Sequence, residues 1–298
     1  MKTLVARRLF KRKKLLCTVA GLAVAWLFVW YVLPWFFPGP EGLEHPEKPG
    51  AVVLDRDGGR IATLPGRDYY HCEPVPLRAV PEMLVKATLA AEDKRFYSHG
   101  GADFLALGRA VVTNAAGGEI VSGASTITQQ LAKNANPPGK RNLASKMREF
   151  FQARRLEMTM SKEEILEAYF NRLDYGNLRR GPAAAARFYF GRDMDHLSLA
   201  ECALLAGLPQ GPSRLNPLNY PDRALERRNR VLRRMKEEGM FPVEMLDRAL
   251  QEPLFSSGTE KRRQALSPSL PDRGSSYHAG FRLAARSSGN RREGAGQP

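Results

Sequence analysis

The sequence predicts a mainly α-helical body that follows one N-terminal apolar helix, with a small β-hairpin between the two. Three observations lead to this fold class. Residues 15–33 carry no charge, two short apolar runs flank a Gly-rich turn at residues 57–59, and apolar side chains recur at helical spacing from Pro81 onward. With 298 residues, 43% of them hydrophobic, the chain is long enough to bury a sizeable core.

The uncharged stretch is predicted to be a membrane-spanning helix within an anchor at residues 15–37. At the rise of an α-helix it extends over about 28 Å, close to the thickness of the hydrocarbon core of a bilayer. Pro34 and Pro38 are expected to stop the helix. Aromatic side chains near its far end resemble the interfacial belt of a membrane protein, namely Trp26, Trp30, Tyr31 and Trp35.

Basic residues in the preceding segment, residues 1–14, favour a cytoplasmic N-terminus and export of everything after about residue 38. A cleaved signal peptide is the competing interpretation. The length of the apolar stretch, and the lack of an Ala-x-Ala-like cleavage site after it, favour a retained anchor.

The formal net charge of +15 suits three kinds of partner, which are nucleic acid, anionic lipid headgroups and phosphorylated substrates. Export of the basic body argues against nucleic acid and favours lipid headgroups and lipid-linked phosphates. The cysteines, Cys17, Cys72 and Cys202, lack the spacing of a metal site, whereas a Cys72–Cys202 disulfide stays open.

The region between the anchor and the body, residues 38–74, is predicted to be a stalk and a β-hairpin linker. Its first part is rich in Pro and Gly, and residues 51–54 and 60–64 are the expected hairpin strands. The helical body is expected to cover residues 75–255. The polar segment 256–298, rich in Ser, Gly, Pro and Arg, predicts a disordered basic tail.

Two capping boxes mark helix starts within the body. Ser161 with Glu164 begins one helix, and Ser198 with Glu201 begins another. A basic helix is predicted over residues 222–238.

Four segments of the body contain polar groups that a core would not select. Residues 92–103 read EDKRFYSHGGAD, whose acids and histidine suit acid–base chemistry. Residues 123–134 read GASTITQQLAKN, whose hydroxyls, amides and ammonium suit phosphate and sugar. The plainer interpretations are a solvated helix end for the first segment and an N-cap at Ser125 or Thr126 for the second.

The third segment, residues 145–157, reads SKMREFFQARRLE and makes Lys146 and Glu149 neighbours on one helix face. The fourth runs from Asn171 through Arg180 to AAAARFYFG. A surface ion pair of little energy and a loop between packed helices are the plainer interpretations of these two segments.

Taken in order, the segments resemble the five motifs of the peptidoglycan glycosyltransferase domain, family 51, found in class A penicillin-binding proteins and monofunctional transglycosylases. The matching runs are EDKRFYSHGGAD, GASTITQQLAKN, KMREFFQARRLE, KEEILEAYFNRLDYG and RRGPAAAARFYFG. The resemblance covers about residues 50–240. The run LAGLPQGPSRLNPLNYPDRALERRNRVLRRM is most similar to the C-type branch of the class A proteins.

The resemblance implies a lysozyme-like fold with a cleft and a small apolar lobe, here including residues 104–121, that dips into the membrane. It implies an inverting reaction in which a growing glycan on polyprenyl pyrophosphate is transferred to the 4-hydroxyl of lipid II, giving β-1,4-linked strands. The expected location is the cytoplasmic membrane of a bacterium, crossed once, with the catalytic domain on the periplasmic side. The expected partners are lipid II, the growing lipid-linked strand, the membrane and cell-wall synthesis proteins, including a separate transpeptidase.

By the same match Glu92 is the general base, and Glu149 is the second catalytic glutamate, near the donor pyrophosphate. Glu149 is expected to orient cationic groups, or a divalent ion such as Mg²⁺ or Mn²⁺, that stabilise the leaving group. No organic cofactor is expected. The substrate-binding residues that the resemblance implies are Asp93, Phe96, His99, Ser125, Thr126, Gln130, Lys133, Asn134, Lys146, Arg148, Asn171 and Arg180.

Three departures from the family pattern leave other functions open. Ser145 replaces an arginine of the third motif, which removes an expected pyrophosphate contact, and Ala124 replaces a glycine of the second. The chain has no SxxK motif, so no transpeptidase domain is expected in it. A lysozyme-like hydrolase or lytic transglycosylase is one alternative, against which the anchor and the cations argue. A non-catalytic scaffold is the other, against which the presence of both glutamates argues.

Overall fold

The computed structural model describes residues 2–43, 50–58, 60–66, 69–109, 125–137, 139 and 142–255, without the side chains of residues 2–12, 54 and 60–63. A long apolar helix at the N-terminus leads into a small β-hairpin and then a body built mostly of helices. The predicted mainly α fold class is therefore confirmed. The predicted tail at residues 256–298 and most of the predicted apolar lobe lie outside the described residues.

The N-terminal helix α1 covers Lys2–Leu27 and continues as a π-helical turn, Phe28–Val32, and a 3₁₀ turn, Leu33–Phe36. The stretch Lys13–Phe36 is long and apolar enough to cross a membrane, judged by length and composition. The prediction that Pro34 stops the helix is wrong. Pro34 lies at the start of the 3₁₀ turn, where its missing N–H is not needed, so the helical path continues through it. The chain becomes extended only at Phe37, the residue before Pro38.

The predicted hairpin is present. Strands β1 (Val52–Leu54) and β2 (Arg60–Thr63) pair antiparallel, with an irregularity between Val53 and Leu54. The turn between them uses Gly58 at φ +83°, a conformation that favours glycine.

A second, unpredicted pair of strands joins the linker to the body. Strand β3 (His71–Cys72) pairs parallel with β4 (Arg179–Arg180). Two-residue strands carry no periodicity that a sequence could reveal.

The helices of the body meet around one core. Helix α8 is buried along nearly its whole length and packs against α2 and α9, while α4 packs against α5 and α6. The helices are α2 (Glu82–Glu92), α3 (residues 104–109), α4 (Ile127–Asn134), α5 (Leu143–Thr159), α6 (Lys162–Arg172), α7 (Pro182–Phe190), α8 (Leu199–Gly207), α9 (Pro221–Glu237) and α10 (Glu244–Gln251).

Local start signals act as expected. Ser161 and Glu164 form a reciprocal capping box at the start of α6, and Ser198 and Glu201 form one at the start of α8. Thr126 caps α4, the plainer interpretation of its segment, and α9 agrees with the predicted basic helix to within one residue at each end. Cys72 and Cys202 are both buried and are not joined to each other, so the disulfide that the sequence left open does not form.

Candidate active site

A polar cleft of about 570 Å³ lies between the ends of α2 and α9 and the first turns of α4 and α5. Glu92 and Glu149, the two glutamates singled out by the sequence, both line it. So do several of the predicted substrate-binding residues, namely Asp93, Ser125, Thr126, Gln130, Lys133 and Lys146. Tertiary packing therefore brings residues of three separate motifs to one cavity.

Glu92 is the last residue of α2, and its side chain is 11% exposed. Its Oε1 accepts a hydrogen bond from Nη2 of Arg227 at 3.0 Å, and its Oε2 accepts one from Nε2 of Gln130 at 2.9 Å. A guanidinium only donates, and the Gln130 amide presents its donor side, so both carboxylate oxygens are held by donors. These two charge-assisted or polar contacts fix the position of the carboxylate.

Arg227 was missed by the sequence analysis. It lies on α9, its side chain is 4% exposed, and its Nε also donates to the carbonyl of Gly207 at 3.3 Å. Burial lowers the pKa of Arg227, which Glu92 opposes, and neighbouring arginines lower it further. A signal was available, because Arg227 stands three residues after buried Ala224 and four before buried Val231, on the apolar face of the helix.

Gln130 is itself held from behind. The hydroxyl of Tyr169, on α6, donates to Oε1 of Gln130 at 3.2 Å. Tyr169 is fully buried and does not reach the cleft surface. It lies within the fourth motif, but it is not among the substrate-binding residues that the sequence analysis predicts.

Residues of the first and second motifs hold the start of α4 in position. Asp93 accepts hydrogen bonds from His99 at 3.0 Å and from the backbone N–H of Ile127, the first residue of α4, at 2.9 Å. Thr126 donates to the carbonyl of Gly101 at 2.8 Å and accepts from the N–H of Gln129. These contacts hold the start of α4, and therefore Gln130, against the end of α2.

Four predicted substrate-binding residues have structural contacts and do not line the cleft. His99 is nearly buried against Asp93, and Phe96 is fully buried beneath the ammonium of Lys162, 4.3 Å from its ring centre. Asn171 bonds both backbone polar groups of Val75, at 2.9 and 2.8 Å. Arg180 stacks over Tyr70 at 4.1 Å. These contacts hold the body together, and the predicted substrate contacts of the four residues stay predictions.

Cationic side chains also line the cleft. The ammonium of Lys146 lies 3.0 Å from the hydroxyl of Ser125 and 3.1 Å from Oε2 of Glu149, so the predicted Lys146–Glu149 pair is confirmed. Lys133 is exposed and lines the same cavity. Asn134 and Arg148 are exposed but lie outside the cavity lining.

Cationic side chains that the sequence analysis missed also line the cavity, namely Lys94, Arg109 and Arg234. Lys94 forms an ion pair with Glu238 at 2.6 Å, and Arg234 donates to the carbonyl of Ala91 at 2.9 Å. The two contacts join the end of α2 to the end of α9. Arg109 follows an exposed apolar run, and the sequence analysis places it only within the predicted apolar lobe.

Comparison with known proteins identifies the family. A family model described as Transglycosylase matches residues 57–236. The chain belongs to this transglycosylase family. The matched range contains all five motifs that the sequence analysis identified, which confirms the resemblance.

Relatives of the transglycosylase chain are longer proteins. Penicillin-binding protein 1A of Aquifex aeolicus (strain VF5) is 40% identical over 248 residues, which cover 81% of this chain and 34% of the relative. Penicillin-binding protein 1A of Neisseria lactamica is 41% identical over 217 residues, covering 73% of this chain and 27% of the relative. The chain thus spans about a third or less of the length of these relatives. Both are 1A proteins, and the likeness to the C-type branch stays a prediction.

Among solved structures, the crystal structure of penicillin-binding protein 1A from Haemophilus influenzae is similar. The match has a TM-score of 0.42 and 29% identity, and it covers 74% of this chain and 24% of that one.

Ser145, where the third transglycosylase motif usually has arginine, has a structural role that the sequence analysis did not foresee. Oδ1 of Asn142 accepts from the N–H of Ser145 at 2.8 Å, and the hydroxyl of Ser145 accepts from the N–H of Asn142 at 3.0 Å. The two residues form a capping box at the start of α5, the helix that carries Lys146 and Glu149. Ala124, the other departure, lies outside the described residues.

Among the described residues, Glu149 has no neighbouring side chains that would complete a ligand set for a divalent ion by themselves. No group of three His, Cys, Asp or Glu side chains that could hold a metal occurs within the described part of this transglycosylase chain. Oε2 of Glu149 already bonds the ammonium of Lys146, and a metal ion would have to displace it. The predicted Mg²⁺ or Mn²⁺ requirement stays a prediction.

Proposed function

We propose that this chain is a peptidoglycan glycosyltransferase that polymerises lipid II into glycan strands and releases polyprenyl diphosphate. Membership of the transglycosylase family supports the reaction class. The observation that carries the proposal is the setting of Glu92, a carboxylate held by two donors in the same cleft as Lys133, Lys146 and Glu149.

The chemistry requires a base next to the acceptor hydroxyl and cations next to the leaving pyrophosphate. Glu92 takes the proton of the acceptor 4-hydroxyl while the hydroxyl oxygen bonds to C1 of the donor sugar. The bond from C1 to the pyrophosphate oxygen breaks, and the pyrophosphate leaves with the electron pair. Attack opposite the leaving group inverts the anomeric carbon. Lys146 and Lys133 stabilise the negative charge that develops on the leaving group.

The setting of Glu92 disfavours hydrolysis by a lysozyme-like mechanism. A glycosidase needs a carboxylic acid that gives a proton to the leaving oxygen. Arg227 cannot accept a hydrogen bond from a protonated Glu92, and the carbonyl oxygen of Gln130 is engaged by Tyr169. The site therefore suits a base better than an acid.

Location and partners follow from the N-terminal helix and the reaction. The basic segment before the helix favours an N-terminus in the cytoplasm and a cleft outside it. The exposed apolar side chains of α3 suit contact with the bilayer, and Phe104 among them packs 5.4 Å from Trp30 of the helix. The substrates are then lipid II and the growing lipid-linked strand. A separate transpeptidase is the expected partner for cross-linking the product.

The test is to incubate the full chain in detergent with lipid II and to separate polymer from substrate on a gel. Wild type is expected to produce polymer, and Glu92→Gln is expected to lower the rate by at least about a hundredfold, because the amide cannot act as a base. Solubilisation of finished sacculi without polymer formation would identify a hydrolase instead. Equal function of Glu92→Gln and wild type in complementing a deletion would identify a scaffold.

A further inference from the structure

A chain of hydrogen bonds runs from the core of the body to the candidate base. The hydroxyl of Tyr169 donates to Oε1 of Gln130 at 3.2 Å, and Nε2 of Gln130 donates to Oε2 of Glu92 at 2.9 Å. Tyr169 is fully buried, whereas Gln130 is half-buried and lines the cleft. The three residues come from α6, α4 and α2, so packing of separate helices creates the chain.

The direction of this chain depends on the tyrosine hydroxyl. An amide has one accepting end and one donating end, and rotation by half a turn exchanges them. Burial, and then the nearby Glu92 carboxylate, raise the pKa of Tyr169 far above its ordinary value, so the hydroxyl keeps its proton. A hydroxyl that donates to the carbonyl oxygen of Gln130 leaves only the amide N–H groups to face Glu92.

We propose that Tyr169 is a positioning residue, which sets the orientation of the Gln130 amide and thereby holds the Glu92 carboxylate in place as the base. The inference rests on the proposed function for its catalytic meaning. Without the hydroxyl, the carbonyl oxygen of Gln130 loses its partner, and the amide is free to turn. A turned amide directs its oxygen at the Glu92 carboxylate. That oxygen repels an ionised carboxylate, whereas it can accept a hydrogen bond from a protonated one.

Tyr175 provides a matched control within the same core. It is also fully buried, and it lies near enough to Tyr169 to raise the pKa of that residue. Its hydroxyl has no hydrogen-bond partner among the described residues. Tyr175→Phe therefore removes a buried hydroxyl without breaking a hydrogen bond, whereas Tyr169→Phe breaks the one to Gln130.

The experiment compares both variants in the full chain with lipid II as substrate. Tyr169→Phe is expected to lower kcat about tenfold with KM within about twofold, because the lost contact acts on the base rather than on substrate binding. Tyr175→Phe is expected to keep the kcat of wild type. Thermal melts of both variants, followed by circular dichroism, check that each is folded.

A double-variant cycle separates positioning from general damage to the core. Gln130→Met removes the amide at similar volume and is expected to lower kcat by at least as much as Tyr169→Phe. Adding Tyr169→Phe to Gln130→Met is expected to cause no further loss, because the hydroxyl acts only through the amide. Multiplicative losses in the double variant, or a wild-type kcat in Tyr169→Phe, would overturn the inference.

A readout without turnover keeps this inference separate from the proposed function. In the full chain labelled with ¹⁵N-glutamine, the side-chain amide signals of Gln130, assigned with Gln130→Met, are expected to shift in Tyr169→Phe and to stay in place in Tyr175→Phe. Failure of wild type to make polymer would overturn the proposed function alone. Unshifted amide signals in Tyr169→Phe would overturn the positioning role, whatever the enzyme activity.

Discussion

At the scale of single residues, the site depends on how Glu92 is partnered. A carboxylate that is 11% exposed would be costly to keep charged without partners. Arg227 supplies the opposite charge and Gln130 supplies a neutral donor. Because Arg227 is nearly buried too, the pair is sensitive to the loss of either member.

Replacement of Arg227 tests this dependence. Arg227→Met leaves Glu92 without its buried counter-charge, so the free energy of unfolding is expected to fall by about 3 kcal/mol and polymerisation by at least about tenfold. Denaturant titration and the lipid II assay measure the two effects.

The matched control is Arg230→Met, which removes an exposed arginine one turn further along α9. Its stability is expected to stay within about 0.5 kcal/mol of wild type. Equal stabilities for the two variants would contradict the role given to the buried ion pair.

At the scale of elements, α5 combines a start signal with two residues of the candidate site. The capping box of Asn142 and Ser145 satisfies backbone N–H groups at its first turn, and Lys146 and Glu149 follow directly. The serine thus contributes a cap where the family usually has a cation. The exchange favours helix stability over an added charge beside Lys146 and Glu149.

Restoring the family residue tests that exchange. Ser145→Arg loses one capping hydrogen bond, so stability is expected to fall by about 1 kcal/mol. It adds a cation near Lys146, so kcat/KM for lipid II is expected to rise several-fold. Thermal melts and steady-state kinetics measure the two effects.

Asn142→Ala is the control, because it breaks the same cap without adding charge. It is expected to lose stability with no gain in kcat/KM. If Ser145→Arg also shows no gain, the departure at this position has no bearing on pyrophosphate binding.

At the scale of the whole molecule, the N-terminal helix is docked onto the body. Nε of Arg154 donates to the carbonyl of Trp30 at 3.1 Å, and its guanidinium lies 4.5 Å from the centre of the Trp30 ring. Arg155 donates to the carbonyl of Phe37 at 2.7 Å and lies over Trp35. Both arginines belong to α5, so the helix that carries Glu149 also holds the end of the apolar N-terminal helix.

This docking predicts a dependence on the membrane. With Arg154 and Arg155 both changed to alanine, the cleft is no longer held at one height above the bilayer. The rate in proteoliposomes is expected to fall about fivefold, because orientation of the reacting groups contributes strongly to rate. In detergent, where no bilayer defines a height, the change is expected to stay within about twofold.

Arg233→Ala, at an exposed position of α9, is the control and is expected to leave both rates unchanged. An equal loss in detergent and in proteoliposomes would assign the effect to general destabilisation rather than to docking.

Local features of this protein could be predicted from the sequence. The apolar helix, the hairpin and the capping boxes at Ser161 and Ser198 depend on residues within a few positions of one another. The Lys146–Glu149 pair is likewise set by helical spacing. The order of the motifs sufficed to identify the family before any contact was known.

Other features depend on packing between distant parts of the chain. Arg227 is 135 positions from Glu92, Tyr169 is 39 positions from Gln130, and β3 meets β4 across more than a hundred residues. Phe96 and Asn171, which motif membership marks as substrate-binding, are buried and have structural contacts that the motifs do not reveal.

The sequence by itself therefore determined the helices, the apolar N-terminal segment and the family, because periodicity, caps and motif order are written in neighbouring residues. Only the tertiary structure decided which side chains hold Glu92 and which merely support the fold. The physical reason is that a charge in a partly buried site is stabilised by whatever donors packing brings within about 3 Å of it, and sequence distance does not limit that choice.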